Sequence, residues 1–354
     1  MDVDFFTGNA GRDHDAAGGA VTTFDVDLLI VGAGPVGLYG TYYAGVRGLR
    51  TAVIDSSTEL GGQVAAMYPE KLIYDVAGFP AVKGRELVAA LIEQAATADP
   101  TYLLGQEARA LITDADGRHL VTTSGGDEIC CAAVVITAGI GAFAPRKLAV
   151  GEDYLGNGLA YFVPDPAPYG NTDVIIVGGG DSALDWALML EQVATSVTVV
   201  HRRNTFRAHA ATVAAVEKSR VTMVRDAEVQ SIGGNGAITH VDVAIKGDSD
   251  IRRLPCQRVI AALGFIANIG PLRDWGLTLR DNRHIVVDSA MRTGCPGIYA
   301  AGDVVDYDGK VRLISSGFGE VATAVNNAAV HIHPDAQLFP GHSTDVADGR
   351  PCRT

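Results

Sequence analysis

Cysteine is scarce in this chain of 354 residues, and its few thiols form no recognisable site. They include no C-x-x-C pair and no metal-ligand spacing, and one adjacent pair is a poor disulfide framework. The five are Cys130, Cys131, Cys256, Cys295 and Cys352. This pattern excludes a disulfide-stabilised scaffold, predicts no metal site and favours a reducing compartment, so we expect a cytoplasmic protein.

Long hydrophobic runs and net positive charge are also absent. Gly, Pro or a charged residue interrupts each apolar segment before it reaches the length of about 18 residues that a membrane span requires. The net charge of −13 would repel phosphate backbones over most of the surface. We therefore expect no membrane association and no nucleic-acid binding. Residues 1–23 lack the basic start and apolar stretch of a signal peptide and are expected to form a loose leader.

What the chain does contain is enough apolar sequence for a large core. Hydrophobic residues make up 47% of it and charged residues 19%, which describes a globular protein of two or three domains.

A unit of strand, glycine turn and helix occurs near the N-terminus. The apolar run 27–31 precedes the sequence GAGPVG at 32–37, and residues 38–49 can form a helix. Glycines allow a tight turn and a close backbone approach, and the free N–H groups at a helix start favour a pyrophosphate. The next strand ends 23 residues after the first glycine in an acid, near the spacing at which a carboxylate binds a ribose. The predicted nucleotide-binding residues are Gly32, Gly34, Pro35, Val36, Gly37 and Asp55.

The same unit occurs a second time. Residues 174–177 form an apolar run, GGGDSA follows at 178–183, and the next strand ends 23 residues after the first glycine in His201. One glycine turn is weak support for a nucleotide site, but two copies in equal register predict an α/β fold with two Rossmann-like dinucleotide-binding domains. The second site is predicted to use Gly178, Gly180, Asp181, Ser182 and Ala183.

The residues at the two strand ends distinguish the two nucleotides. Asp55 suits a ribose with both hydroxyls free, as in FAD or NAD, and would repel a 2′-phosphate. The second copy instead offers Arg202 and Arg203 after His201, with Arg207 close behind, and arginine is well shaped for bidentate phosphate contacts. We therefore predict that the second site binds NADPH. A solvated basic loop is the alternative.

A distant segment could complete a flavin pocket in the first site. Residues 298–303, IYAAGD, predict a strand that ends in Gly-Asp, where the Asp303 carboxylate could accept hydrogen bonds from ribityl hydroxyls. After a loop, residues 316–320 lead into an expected helix at 321–332 whose positive end could face the flavin. The first site is therefore expected to bind FAD.

Together these motifs resemble the thioredoxin-reductase-like flavoproteins. The resemblance rests, in chain order, on GAGPVG, GGQ at 61–63, TAGIGAFAPRKL, GGGDSALDWA, HRRNTFRAH and IYAAGD. Thioredoxin reductases carry a redox-active C-x-x-C just before the second glycine motif, and this chain has no cysteine there, which excludes thiol–disulfide chemistry. The segments MYPEKLIYDVAGFP and YFVPD, and the C-terminal GHST, are similar to the ferredoxin–NADP reductase branch.

This resemblance implies a function and a set of flavin contacts. Electrons would pass between NADPH and ferredoxin, by hydride exchange at N5 of FAD and one-electron exchange with an iron–sulfur protein. Tyr68 and His342 would stack on the two faces of the flavin, and no acid, base or nucleophile is proposed. The other residues implied around FAD are Gln63, Phe143, Asp303 and Thr344, with Ala108 contacting the adenine end through its backbone. A core tyrosine and a surface histidine are the alternatives for Tyr68 and His342.

The order of the motifs predicts a discontinuous domain. Residues 24–143 and 272–354 would bind FAD, and residues 144–271 would form an inserted NADPH domain, because IYAAGD must return to the first glycine motif. The two crossing segments, TAGIGAFAPRK at 137–147 and AALGFIANIGP at 261–271, are Gly-rich and suit a two-strand hinge. The resemblance also implies a homodimer whose domains rotate to bring nicotinamide to flavin.

Two rival functions remain open. One is an NADPH-dependent reductase of another acceptor, such as a flavodoxin, a quinone or another small molecule. The other is a non-enzymatic flavin-binding regulator, which the arginine motif disfavours because a regulator without hydride transfer has little use for a site that distinguishes NADPH from NADH.

Overall fold

The computed structural model describes residues 21–341, and of residues 142–144 and 265–267 it describes the backbone alone. The first part of the chain alternates strands with helices. Strands β1 to β11 comprise Thr23–Asp25, Leu28–Val31, Thr51–Asp55, Leu72–Ile73, Val82–Lys83, Thr101–Leu104, Ala108–Thr113, His119–Thr123, Glu128–Cys131, Ala133–Ile136 and Ala142–Pro145.

The middle and the last part of the chain contribute the other strands. Strands β12 to β20 comprise Leu159–Ala160, Asp173–Gly178, Ser196–Val200, Thr222–Val224, Ala227–Gly234, Ile238–Ile245, Ile251–Pro255, Arg258–Ala262 and Phe265–Asn268. Strands β21 to β24 comprise Leu279–Arg280, His284–Val286, Ile298–Ala300 and Val305–Asp306.

Six α-helices accompany these strands within residues 21–341. Helices α1 to α6 comprise Pro35–Val46, Gly62–Met67, Gly84–Ala96, Asp181–Leu190, Ala210–Glu217 and Ile314–Ile332. In this part of the chain, no helix combines the length and the hydropathy needed to cross a membrane.

Two five-stranded parallel sheets organise the structure. The first has the order β23-β10-β2-β3-β6, and the second has the order β12-β19-β13-β14-β15. Every residue of β2 and of β10 is buried, as expected for parallel strands covered by helices on both faces. Helices α1 and α6 pack together closely, because Gly40 has no side chain and a Cβ there would lie 2.6 Å from Val321.

The two sheets repeat one arrangement. In each, a central strand (β2 or β13) leads into a glycine turn and a helix, and the following strand (β3 or β14) pairs beside it. Each also has an antiparallel excursion before the strand that pairs with the other side of the central strand: β7-β8-β9 precedes β10 in the first sheet, and β16-β17-β18 precedes β19 in the second. The predicted α/β fold with two Rossmann-like units is confirmed.

The chain passes between the two sheets along two paired strands. β11 and β20 are antiparallel, with Ala142 opposite Asn268 and Pro145 opposite Phe265. These are the segments predicted to form a two-strand hinge. The domain boundaries and any rotation stay predictions, and Thr23, which was assigned to the leader, already begins β1.

The last helix begins earlier than predicted. We expected it at 321–332 after a loop, but α6 starts at Ile314 and includes both glycines of the SSGFG segment. Tertiary contacts outweigh their low helix propensity. The Ser315 hydroxyl donates a 2.7 Å hydrogen bond to the Asp75 carbonyl, and Gly317 lets Val36 pack where a Cβ would lie only 2.5 Å away.

Candidate dinucleotide-binding sites

The first glycine turn is shaped by close backbone contacts. Gly32 has φ +113°, and a Cβ there would lie 2.6 Å from the Thr137 carbonyl oxygen. A Cβ on Gly37 would lie 1.8 Å from the Gly32 carbonyl oxygen, so the helix can lie on the turn only if residue 37 is glycine. Helix α1 begins at Pro35 with Gly34 as N-cap, and no side chain satisfies its first N–H groups. These groups are available to an anion.

Asp55 lies at the end of β3, beside this turn. One carboxylate oxygen accepts a 2.6 Å hydrogen bond from the Ala33 N–H, and the other accepts one of 2.8 Å from the Ser57 N–H. Burial raises the pKa of Asp55, and these two N–H groups partly offset the effect. The carboxylate therefore supports the glycine turn as well as lying where a ribose is predicted.

A cavity of about 870 Å³ extends from this turn. Nine of the residues predicted to contact FAD line it: Gly32, Gly34, Pro35, Val36, Asp55, Gln63, Tyr68, Ala108 and Asp303. Gly37 is buried behind the turn. A cavity of this size, with a glycine cradle and an acid at the strand end, fits a dinucleotide such as FAD.

Three of the predicted flavin contacts involve side chains outside the described part of the chain. His342 and Thr344 lie outside the described residues, and so does the side chain of Phe143. Their roles stay predictions.

Tyr68 lies at the C-terminal end of the short helix α2. It lines the cavity, and burial raises the pKa of its hydroxyl, with further contributions from the nearby carboxylates Asp303 and Asp75. The structure thus brings together the tyrosine and the aspartate that the sequence placed on distant segments, 235 residues apart.

A buried charge pair lies behind the Gly302-Asp303 turn. The Glu320 carboxylate, on α6, accepts hydrogen bonds from the Gly302 N–H at 2.8 Å, the Tyr307 hydroxyl at 2.7 Å and the Lys310 ammonium at 2.5 Å. Burial, and then the Glu320 carboxylate, raise the pKa of Tyr307 to about 12. The sequence analysis missed this network; an acid in an otherwise Ala- and Val-rich helix was the one available signal.

The second glycine turn packs against the ring of His201. A Cβ on Gly179 would lie 2.2 Å from that ring, so only glycine fits there. The ring stacks on Phe206 at 5.0 Å between centroids, and its Nε2 lies 3.2 Å from the Thr205 carbonyl oxygen. Burial lowers the pKa of His201, and the cations Arg202 and Arg203 lower it further, which favours a neutral imidazole at neutral pH.

The predicted arginine cluster is exposed at this strand end. Among residues 21–341, no ion-pair partner faces the side chains of Arg202, Arg203 and Arg207. The backbone N–H of Arg207 donates a 2.8 Å hydrogen bond to the Gly179 carbonyl. Arg225, which follows the neighbouring strand β15 and was not predicted, lies over the Phe206 ring at 5.2 Å and pairs with Glu217. Three unpaired cations beside a glycine turn can bind a phosphate.

The start of α4 completes the second site. Gly180 is its N-cap without a side-chain cap, Ser182 is exposed and Ala183 is fully buried. The Asp181 carboxylate accepts a 2.8 Å hydrogen bond from the His209 N–H, and His209 lines the large cavity of the first site. Asp181 therefore connects the second turn to the first site. Gly178 lies beside Ala262, whose carbonyl oxygen would be 2.4 Å from a Cβ there.

The cysteines that the structure describes are free thiols. Burial raises the pKa of Cys131 and that of Cys256 to about 12, so neither is a thiolate at neutral pH. Within the described residues, no group of His, Cys, Asp and Glu side chains could hold a metal ion.

Comparisons with known proteins agree with this geometry. Residues 26–328 match the family model of the pyridine nucleotide-disulphide oxidoreductases. A protein of Nocardioides sp. named ferredoxin–NADP reductase is 59% identical over 91% of this chain and 97% of its own, and one of that name from Salinispora arenicola is 58% identical over 91% and 99%. The thioredoxin reductase structure of T. acidophilum is 28% identical, with a TM-score of 0.73 over 88% of this chain and 98% of its own. That of Lactococcus lactis is 25% identical, also with a TM-score of 0.73, over 87% and 99%.

Proposed function

Since the chain belongs to the pyridine nucleotide-disulphide oxidoreductase family, we propose that it is a ferredoxin–NADP reductase that binds FAD in the first site and NADP(H) in the second. The relatives that bear this name cover nearly the whole chain, whereas thioredoxin reductases share the fold at lower identity. Without a C-x-x-C pair, the chain cannot perform the thiol–disulfide step of the latter.

One observation carries the proposal: two equivalent glycine turns have opposite charges at their strand ends. Asp55 lies beside the first turn, and Arg202 and Arg203 follow the strand beside the second. A carboxylate favours free ribose hydroxyls, and the arginines favour a 2′-phosphate, so each site selects a different dinucleotide.

The protein residues position and separate the reactants. FAD, when bound, can accept two electrons as a hydride and release them singly, which links a nicotinamide to a one-electron carrier. Tyr68 would cover one face of the flavin and Asp303 would bind its ribityl chain, while the free N–H groups of α1 would bind the pyrophosphate. Gln63 and Ala108 would make the remaining contacts in the described part of the cavity. We propose that His342, Thr344 and Phe143 complete the pocket, on the strength of the family resemblance.

The test of this proposal uses the purified protein. Its flavin is released and identified, NADPH or NADH is mixed with the loaded protein, and cytochrome c reduction is followed with and without ferredoxin. We expect FAD, rapid bleaching by NADPH in preference to NADH, and a rate that saturates with ferredoxin concentration. A protein that contains no flavin, or whose flavin NADPH leaves oxidised, would contradict the proposal.

A second acceptor class is favoured by the charges around the cavity. Two cations line its rim, and both are already paired, Lys71 with Asp185 and Arg312 with Asp306. An acidic ferredoxin would have to compete with these carboxylates on a protein of net charge −13. A quinone, a flavodoxin or a small molecule would be the acceptor if bleaching is rapid but ferredoxin does not change the rate.

The assembly and the compartment also belong to this proposal. We infer a homodimer from the resemblance and a cytoplasmic location from the free thiols, and light scattering and cell fractionation test the two inferences.

A further inference from the structure

The structure has two halves, a first half of residues 24–138 and 269–332 and a second half of residues 148–263, and within the described residues they share no apolar core. Two hydrophobic clusters are built from residues of 24–138 and 269–332, and two others from residues of 148–263. The orientation of one half on the other therefore depends on the paired strands β11 and β20 and on polar contacts.

One ion pair joins the halves. Lys71 Nζ, between α2 and β4, lies 2.6 Å from Asp185 Oδ2, in the second turn of α4. Among the ion pairs of residues 21–341, it is the one that connects the two halves. Asp185 Oδ2 is buried and makes no well-aligned hydrogen bond, so the Lys71 charge is what compensates it.

The Lys71–Asp185 ion pair joins an element of the first nucleotide site to an element of the second. Lys71 lines the large cavity of the first site, and Asp185 lies on the helix that begins at the second glycine turn. On the same side, His209 is held by Asp181 and also lines the cavity, together with Asp303. The pair therefore fixes the start of α4 against the wall of the flavin cavity.

We propose that Lys71 and Asp185 are positioning residues for hydride transfer, which hold the NADP(H) site facing the flavin cavity. The inference rests on the proposed function, because it assumes that a hydride passes between nucleotides bound in the two sites. Neither side chain touches the reacting atoms; the pair acts through the orientation of α4.

The solvent exposure of Lys71 and Asp185 limits how strongly their ion pair can bias the orientation of the two halves. The Lys71 side chain is 46% exposed and the Asp185 side chain 27%, so solvent and salt screen their attraction. Ion pairs of this kind change an equilibrium by no more than about fivefold. Such a contact biases the orientation of the halves without locking it.

The first measurement is the single-turnover rate of flavin reduction by NADPH at low ionic strength. The variants are Lys71→Met, Asp185→Asn and the charge-exchanged double variant Lys71→Asp/Asp185→Lys. We expect a two- to fivefold slower reduction, on the order set by such pairs, in each single variant and recovery in the double variant. At saturating NADPH, where binding does not limit the rate, added salt should slow the wild-type protein but not the single variants.

Lys83→Met is the matched control. Its partner, Glu70, lies in the same half, the exposure of the pair is similar at 36% and 23%, and Glu70 keeps a second partner in Arg85. The rate should equal that of the wild type. Because Lys71 lines the cavity, FAD content is measured for every variant. If Lys71→Met loses flavin, the rate of the Asp185→Asn variant alone tests the inference.

The second measurement is independent of turnover. Small-angle X-ray scattering of the FAD-loaded protein without NADPH reports the orientation of the halves. The single variants should scatter differently from the wild type, and the double variant should return to the wild-type profile.

The outcomes separate this inference from the proposed function. If NADPH bleaches the wild type and the single variants match it in rate and scattering, the inference is wrong and the proposed function stands. Faster reduction in the single variants would also overturn it, because the pair would then hold an unproductive orientation. If NADPH does not bleach the wild type, the proposed function fails and the inference fails with it.

Discussion

The buried pair Lys310–Glu320 allows a quantitative prediction about the turn that carries Asp303. The two side chains are 2% and 5% exposed, and the Glu320 carboxylate also accepts from Tyr307 and Gly302. Lys310→Met removes the cation and leaves the carboxylate buried with two neutral donors. Breaking one partner of a buried pair typically costs about 3–5 kcal/mol, because the remaining charge stays desolvated. We expect that loss in the free energy of unfolding, and weaker FAD binding because the turn is displaced.

The assay is urea unfolding followed by circular dichroism, with FAD retention measured by gel filtration. The double variant Lys310→Met/Glu320→Gln should be more stable than Lys310→Met alone, because a neutral amide still accepts from Gly302 and needs no counter-charge. Lys147→Met, which breaks the exposed pair with Glu152, is the control and should leave the free energy of unfolding nearly unchanged.

Two results would refute this reasoning. One is a loss below about 1 kcal/mol for Lys310→Met, which would mean that the pair is hydrated in solution. The other is a double variant no more stable than the single one, which would mean that the carboxylate charge is not the source of the cost.

Three further predictions concern the cofactor sites. Replacing Arg202 and Arg203 by Ala should raise the KM for NADPH by about two to four orders of magnitude, since each of the two charge-assisted contacts contributes about 1.5–3 kcal/mol, and should leave NADH kinetics nearly unchanged. An equal loss with both nucleotides would exclude a 2′-phosphate site. Tyr68→Ala should shift the flavin absorption spectrum or reduce FAD retention, whereas a full complement of FAD with an unaltered spectrum would make Tyr68 a core residue. Truncation after Pro340 removes His342 and should change the rate of hydride transfer or the exposure of the flavin to added quenchers, and normal kinetics would show that the tail is not needed.

Both glycine turns could be predicted because their causes are local. An apolar strand, a glycine that tolerates close contacts and a helix start follow one another directly, so Gly32 and Gly178 are recognisable without tertiary information. The strand-end residues Asp55 and His201 follow from the same register. The order of strands around each turn then follows from the fold.

The contacts between distant segments could not be predicted. Glu320 lies in a helix whose pattern indicates only a buried face, and its cation comes from a separate loop. Lys71 and Asp185 are 114 residues apart, and although each lies in a motif that carries the family resemblance, nothing in either motif indicates that the two side chains pair. The start of α6 was placed too late because Gly317 disfavours a helix locally, whereas its packing against Val36 stabilises one.

Because β11 pairs with β20, the chain leaves the first half and returns to it at one place. Opposite residues of antiparallel strands lie about 5 Å apart, so the segment between Pro145 and Phe265 leaves and rejoins the first half at adjacent points. The first half is therefore continuous in space although its sequence is interrupted, and a short turn could close it. A domain whose two ends are adjacent can be inserted into another domain, or removed from it, without disturbing the fold of that domain. The nucleotide preference of such an enzyme could therefore change by replacement of the inserted domain alone.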